Sequence, residues 1–133
     1  MSTSPSLLTG VDFVSVPTRD LEAAMDFYGN VLGLAPGPQW GRENPVGAEF
    51  ETGNLTIALL ANERLGIPFQ ATSVPIEFRV DDVPAARAEL ESRGVEFKGD
   101  IIDSGVCHQA IFEDPDGNVL DIHHRYAPKD QKP

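Results

Sequence analysis

An order of predicted elements that occurs twice constrains the fold of this chain more than any other feature of its sequence. Asp20-Leu21 and Asp82-Val83 each follow a β-branched stretch and open a run of apolar residues at helical spacing, 62 positions apart. Aspartate is a favoured helix N-cap, because its side chain accepts a hydrogen bond from a free backbone N–H of the first turn. The repeat predicts two β-α-β-β-β modules in one α+β domain.

The predicted elements follow the same order in both halves of the chain. Pro17 and Gly33 are expected to end the first strand and the first helix, and the segment "DPDGN" at 114–118 predicts a turn between the last two strands. The strands and helices are predicted over 11–16, 21–33, 35–47 (a weak edge strand and a loop), 48–51, 55–60, 75–80, 82–94, 95–97, 107–112 and 119–123, with an irregular connector over 62–73.

The length of the chain is that of one domain. Its 133 residues are 41% hydrophobic, which is enough for one core. The repeat places this domain at 9–125, with modules at about 9–62 and 74–125 and short tails at 1–8 and 126–133. The lone Cys107 cannot form an internal disulfide, and the start of the chain lacks the basic and apolar pattern of a secretion signal. These features predict a cytoplasmic location.

The charge of the chain restricts its partners. It has 21 acidic and 10 basic residues and a net charge of −11. An acidic protein repels a phosphate backbone, and no run approaches the roughly 18 apolar residues of a membrane span. We therefore expect no nucleic acid and no membrane as partners, whereas a cationic or amphipathic small molecule is compatible with the charge.

Three segments resemble one protein family. "LTGVDFVSVPTRDLEAAMDFYGNVLGL" is similar to the first module of the vicinal-oxygen-chelate superfamily, which includes glyoxalase I, bleomycin-binding proteins and extradiol dioxygenases. "FRVDDVPAARAELESRGVEF" and "FEDPDGNVLDI" are similar to its second module. The resemblance implies that the modules form an open, cupped sheet with the helices on the convex side and a ligand cavity on the concave side.

The resemblance also implies where a metal would bind. Metal-using relatives hold one divalent ion through four inward side chains, mostly His or Glu, and the corresponding positions here are Phe13, Ala58, Pro75 and Asp121. Of these side chains only that of Asp121 can ligate a metal. A divalent ion held by one carboxylate would dissociate readily. We therefore expect no resident metal and no other cofactor.

A displaced metal site is the alternative that the residues leave open. Alternation along strands places Glu77 with Arg79 on one face, and Asp121 with His123 on one face. Glu77, Asp121 and His123 could then hold one divalent metal. An ion pair between Glu77 and Arg79 would satisfy both side chains without a metal.

Further side chains on the same face are expected to line the cavity. Phe13 and Trp40 would form its floor and lid, and either His108 or Gln109 would enter it, because the chain before them is irregular. The predicted ligand-binding residues are Phe13, Ser15, Trp40, Ala58, Pro75, Glu77, Arg79, His108, Asp121 and His123.

Two classes of function follow from these interpretations. In the first, a metal-free protein binds and sequesters a small molecule, as the bleomycin-resistance branch of the family does. In the second, the protein is a glyoxalase- or dioxygenase-like enzyme, a lyase or an oxidoreductase. It would use the displaced metal site or acid-base chemistry of Asp121 and His123. Because members of the superfamily commonly pair modules across chains, the resemblance also implies a homodimer.

Overall fold

The protein folds into two four-stranded sheets, each accompanied by one α-helix. The computed structural model describes residues 6–41 and 43–130. Residues 1–5 and 131–133 of the predicted tails, and residue 42 of the predicted segment 35–47, lie outside the described residues. The elements are β1 (Phe13–Thr18), α1 (Leu21–Asp26), β2 (Ala35–Trp40), β3 (Gly47–Glu51), β4 (Thr56–Ala61), β5 (Ile76–Arg79), α2 (Val83–Ser92), β6 (Phe97–Asp103), β7 (Cys107–Glu113) and β8 (Val119–Arg125).

Each sheet contains one parallel and two antiparallel strand pairs. The first sheet has the order β1-β4-β3-β2 and the second has the order β5-β8-β7-β6. In both, the strand before the helix lies parallel to the last strand of the module, so that a crossover connection is required. The two sheets thus repeat one β-α-β-β-β topology, which confirms the predicted α+β architecture.

Both α-helices begin at equivalent aspartates. Asp20 Oδ1 accepts a hydrogen bond from the backbone N–H of Ala23 at 3.1 Å, and Asp82 Oδ1 accepts one from Ala85 at 2.8 Å. The caps satisfy donors that the first turn leaves free. The helix α1 continues as a single π-helical turn, Phe27–Val31, whereas α2 is ten residues long without such a turn. None of the described helices is long and apolar enough to cross a membrane.

Three segments differ from the sequence-based expectation. The strand β1 continues through Pro17 rather than ending before it. It is an edge strand with β4 as its only neighbour among the described strands, so a missing N–H is tolerated there. The strand β6 reaches Asp103 instead of ending at Phe97. The sequence did not predict this length, because the mostly exposed side chains of β6 show no apolar alternation. Asn62–Leu65 forms a short 3₁₀-helix within the predicted irregular connector.

The apolar core lies on the helix side of both sheets. Ile57 and Leu59 of β4 and Leu120 and Ile122 of β8 point to this side and are buried. Tyr28, from the π-helical turn, is fully buried in the same cluster. The two modules therefore share one core, and the buried residues of both described α-helices belong to it.

The turn at 114–118 joins the two modules as well as the last two strands. The phenol of Tyr28 donates to Asp114 Oδ2 at 2.8 Å, and Asn118 Nδ2 donates to the carbonyl of Pro17 at 2.8 Å. The hydroxyl of Thr18 donates to Asp116 Oδ2 at 2.5 Å. We call this hydrogen-bond network the inter-module latch. Its members are Thr18, Tyr28, Asp114, Asp116 and Asn118.

Burial sets the protonation of the latch. Burial is the main cause that raises the pKa of Tyr28, and the neighbouring Asp114 raises it further. Burial also raises the pKa of Asp114, against hydrogen bonds from Asn118 and Tyr28 that lower it. The phenol therefore remains a hydrogen-bond donor at neutral pH, and Asp114 is its acceptor.

Candidate functional site

The predicted site residues lie mainly on the faces of the two sheets that point away from the helices. We call these the open faces. Because Val16 and Ile57 point into the core, their strand neighbours Ser15 and Ala58 point to the open side. The first open face consists of Phe13, Ser15, Trp40, Glu49 and Ala58, and the second consists of Glu77, Arg79, Gln109, Asp121 and His123.

The first open face carries an aromatic pair. The rings of Phe13 and Trp40 meet edge to face with their centroids 5.8 Å apart. The indole N–H of Trp40 donates to Glu49 Oε2 at 2.6 Å. A Cβ atom added at Gly47 would lie 2.8 Å from the Trp40 ring, and Ala58 follows on the next strand. The missing side chain at Gly47 therefore leaves the space that the Trp40 ring occupies.

The second open face is polar and is built around the central strand β8. Asp121 lies in register with Glu77 on β5, and His123 lies in register with both Arg79 on β5 and Gln109 on β7. Residues in register on neighbouring strands share a face of the sheet. The structure therefore brings together the predicted set of Glu77, Arg79, Asp121 and His123.

Asp121 is a buried carboxyl group with an unsatisfied oxygen. It is 1% exposed, and its Oδ1 atom has no hydrogen-bond partner within the described chain. Burial raises the pKa of Asp121 to about 7, the charge of Glu77 contributes to the rise, and a backbone hydrogen bond from Ala110 opposes it. An ionised carboxyl without a partner is costly in such a place. A hydrogen-bond donor that reaches this atom after the surrounding side chains move would find an acceptor there.

The residues at the metal positions of the family do not fit a metal ion. Phe13, Ala58 and Pro75 have no donor side chain. Within residues 6–41 and 43–130, no three His, Cys, Asp or Glu side chains form a group that could hold a metal ion. This finding includes the displaced set of Glu77, Asp121 and His123, although they share a face. The donor set therefore gives no support for a resident metal.

Two pairings considered from the sequence are not formed among the described residues. No ion pair joins Glu77 to Arg79. No hydrogen bond joins Asp121 to His123, and Asp121 Oδ1 is left without a partner. Asp121 could therefore act as a general base oriented by His123 only after one of the two side chains moves.

The register of β7 decides between His108 and Gln109. Gln109 lies opposite His123 and belongs to the second open face, so the prediction that His108 lines the site with Asp121 is corrected. His108 points to the other side of the sheet. Its Nε2 atom lies 3.4 Å from Asp103 Oδ2, and its ring centroid lies 4.8 Å from that of Tyr126. The sequence could not show which of the two side chains points to the open face, because the segment 103–106 before the strand is irregular.

Two pockets of the described chain border the second open face, and Glu77, Arg79 or His123 is among their lining residues. The first has a volume of about 410 Å³ and is mainly apolar, with Ile76 and Phe112 among its lining residues. The second has a volume of about 560 Å³ and lies at one end of the second sheet. Neither is lined by Phe13, Ala58 or Asp121.

We place the candidate site on the second open face rather than in the apolar pocket. A buried carboxyl with an unpaired oxygen is stabilised by a polar ligand group, whereas none of the described residues that line the apolar pocket has a buried polar side-chain atom without a partner. The expectation that Phe13, Ala58, Pro75 and Asp121 line one common cavity stays a prediction.

Glu49 is a residue of the first open face that the sequence analysis did not identify. It is half-buried and accepts the indole hydrogen bond of Trp40. Its neighbours Ala48 and Phe50 are buried, so strand alternation across Gly47–Glu51 was the signal that could have placed it on the open side.

Comparison with known proteins agrees with this architecture. The curated protein "Glyoxylase I 4" of Arabidopsis thaliana is 29% identical over 126 residues, which cover 90% of this chain and 72% of that protein. The crystal structure of TnmS3, an antibiotic binding protein from Streptomyces sp. CB03234, is 27% identical with a TM-score of 0.75, and the match covers 91% of this chain and 99% of that one.

A second solved structure from the same source gives a similar result. This glyoxalase/bleomycin resistance protein is 28% identical with a TM-score of 0.69, and the match covers 86% of this chain and 100% of that one. The model of the Glyoxalase/Bleomycin resistance protein/Dioxygenase superfamily matches residues 10–122. The chain therefore belongs to the glyoxalase/bleomycin resistance protein/dioxygenase superfamily.

Proposed function

We propose that the protein binds a small organic molecule on its second open face, without a metal, and thereby sequesters it. The observation that carries this proposal is the buried carboxyl of Asp121, whose Oδ1 atom has no partner in the described chain. A ligand group that donates a hydrogen bond to this atom would remove the cost of leaving it unpaired. The similarity to TnmS3, an antibiotic binding protein, supports a ligand of the antibiotic type.

The first open face would supply the apolar part of the ligand site. Phe13 is 46% exposed and forms an aromatic pair with Trp40. Aromatic surfaces of this kind bind the flat or apolar portions of organic ligands, while a few polar groups fix their orientation. An amphipathic ligand would contact the aromatic pair with its apolar part and Asp121 with its polar part.

We further propose that two chains associate to form this site. The strands β1 and β5 each stand at the end of a sheet with one edge open. Exposed apolar side chains flank these edges, Val11 and Phe13 at β1 and Val74 before β5. Open edges with apolar neighbours are typical of protein interfaces. Sedimentation at micromolar concentration should give twice the chain mass of 14.4 kDa, and a clean monomer would contradict the dimer.

Calorimetric titration with bleomycin in the presence of EDTA tests the binding function. Native mass spectrometry of the purified protein would detect a ligand retained from the cell. We expect saturable binding or a retained small molecule, and a loss of affinity of about tenfold or more in Asp121→Asn and in Phe13→Ala. Asp100→Asn, on the exposed part of β6, is the matched control. No binding and no retained molecule, or an equal loss in Asp100→Asn, would overturn the proposal.

The pKa of Asp121 favours an enzyme as the second candidate. A pKa of about 7 matches a general base or acid that works near neutral pH. The relative from Arabidopsis thaliana is named as a glyoxylase. A glyoxalase I assay in EDTA should then show turnover that depends on ionisation near pH 7 and is lost in Asp121→Asn. Turnover no higher than that of Asp121→Asn would leave binding as the function.

A further inference from the structure

The pocket at the end of the second sheet is rich in cations. It lies where β5 and β8 end and β7 begins, with a wall from the segment that follows β8. Of its eight lining residues, three are cations, Arg79, Arg125 and Lys129, and two are histidines, His123 and His124. This composition differs sharply from that of the chain as a whole.

The rest of the chain makes this cluster unexpected. The protein has 21 acidic and 10 basic residues, and yet Asp81 is the one carboxylate among the lining residues of the pocket. Arg79 and Lys129 take part in no ion pair among the described residues. Cations that are close together repel one another, and an acidic chain has many carboxylates that could have neutralised Arg79 and Lys129. An anionic ligand would compensate the charges of Arg79 and Lys129.

Hydrogen bonds to backbone carbonyls hold the walls of the pocket in place. The N–H of Val80 donates to the carbonyl of His123 at 2.9 Å, which fixes the ends of β5 and β8 side by side. The N–H of Tyr126 donates to the carbonyl of Val106 at 3.0 Å, and Arg125 Nη2 donates to the carbonyl of Pro128 at 2.7 Å. These bonds hold the segment after β8 against the sheet and bring Lys129 to the pocket.

We propose that this pocket binds the carboxylate or phosphate group of a small organic anion. Arginine offers a planar set of donors that matches both groups, and lysine adds a mobile point charge. The volume of about 560 Å³ lies within the range of about 300–1,000 Å³ that small-ligand sites occupy, so that there is room for an organic body beyond the charged group. Arg79 and His123 belong both to this pocket and to the second open face, but Asp121 and Phe13 do not line the pocket. The tests with Asp121→Asn and Phe13→Ala therefore address the proposed function, and the anion titration addresses this inference, so that the two can fail separately.

Calorimetric titration with three probes of similar size tests the anion site. Phenyl phosphate and benzoate carry the two candidate groups, and benzyl alcohol is the neutral control, all at constant ionic strength. At least one anion should bind about tenfold or more tightly than benzyl alcohol, since charge-assisted hydrogen bonds are about twice as strong as neutral ones. The preferred anion identifies the group as phosphate or carboxylate. Amide NMR shifts should locate it at Val80 and at residues 123–125.

Charge-removal variants test which residues hold the anion. Arg79→Gln combined with Lys129→Gln should weaken the preferred anion by about tenfold or more. Lys98→Gln removes the same kind of charge from a side chain paired with Glu113 on the sheet and should change the affinity less than about twofold. Equal affinity for benzyl alcohol, shifts confined to other regions, or an equal loss in Lys98→Gln would overturn the inference. The wild-type titration and shifts decide it even if the double variant is unstable.

Discussion

The two modules of this protein share a scaffold and differ in the chemistry of their open faces. Asp20 and Asp82 cap the two helices with the same hydrogen bond to the backbone three residues later. On the open sides, the first module presents the aromatic pair of Phe13 and Trp40, and the second presents a buried carboxyl beside charged side chains. Caps and core positions are needed for folding in both halves, whereas open-face residues are available for function.

One pair of equivalent positions shows the difference most clearly. In the first module Ser15 lies in register with Ala58, and in the second Glu77 lies in register with Asp121. The same site on the sheet is therefore small and uncharged in one module and doubly acidic in the other. The comparison indicates that the first module contributes surface and space, and that the second contributes the group that can exchange a proton.

The largest expected effect concerns the latch that makes the two modules one unit. Asp114→Ala removes the acceptor of the buried Tyr28 phenol and of the Asn118 amide. We expect a loss of about 3–5 kcal/mol in the free energy of unfolding, because each orphaned buried polar group costs about 1–3 kcal/mol. Urea denaturation measures it. Asp100→Ala, at an exposed site, should stay within about 0.5 kcal/mol. Two separate unfolding transitions in the wild type would break the shared-core account.

The second prediction concerns the acidic pair of the second module. Because the folded-state pKa of Asp121 is raised to about 7, its stabilising contribution is complete below about pH 4 and is lost as the pH rises through about 7. Asp121→Asn has no ionisable group at this position, so its free energy of unfolding does not fall in this way as the pH rises. The variant should gain about 2–4 kcal/mol over the wild type between pH 4 and pH 8, since one pKa unit corresponds to about 1.4 kcal/mol. Urea denaturation at both pH values measures the difference, and parallel pH profiles would show that the carboxyl is not buried and unpaired.

The third prediction tests the equivalence of the two scaffolds. Asp20→Ala and Asp82→Ala each remove one capping hydrogen bond of the same geometry. Each should cost about 1 kcal/mol, the usual value for an N-cap. Thermal and urea unfolding of the two variants can be compared directly. If one cap costs several times more than the other, the helices do not play matching roles in the two modules.

The smallest expected effect lies on the first open face. Phe13→Ala removes a side chain that is 46% exposed, so the free energy of unfolding should fall by less than about 1 kcal/mol. Phe50→Ala, on the buried side of the same sheet, should cost about 3–5 kcal/mol. If both variants lose the same stability, Phe13 is a core residue, and its assignment to a ligand surface is wrong.

The sequence was sufficient to predict the modules, because caps, turns and alternation are local signals. Which side chains of β7 point to the open face was not predictable, since it depends on how the irregular residues 103–106 enter the strand. The sequence also could not show that Asp121 Oδ1 has no hydrogen-bond partner in the described chain, because this depends on which side chains reach the atom across the sheet. Lys129 belongs to a segment that was assigned to a tail, and only the contacts of Tyr126 and Arg125 bring it to the cationic pocket.

Titration of divalent metals tests most directly the claim that the second module acts through a carboxyl without a metal. Protein cleared with EDTA would be titrated with Zn²⁺, Mn²⁺, Ni²⁺ and Fe²⁺ in a calorimeter, beside Asp121→Asn. The account predicts no binding tighter than about 1 μM, which corresponds to about −8 kcal/mol, and no difference between the two proteins. Submicromolar binding that Asp121→Asn abolishes would contradict it. That result would indicate a rebuilt metal site at Glu77, Asp121 and His123 and would favour the enzyme over the binding protein.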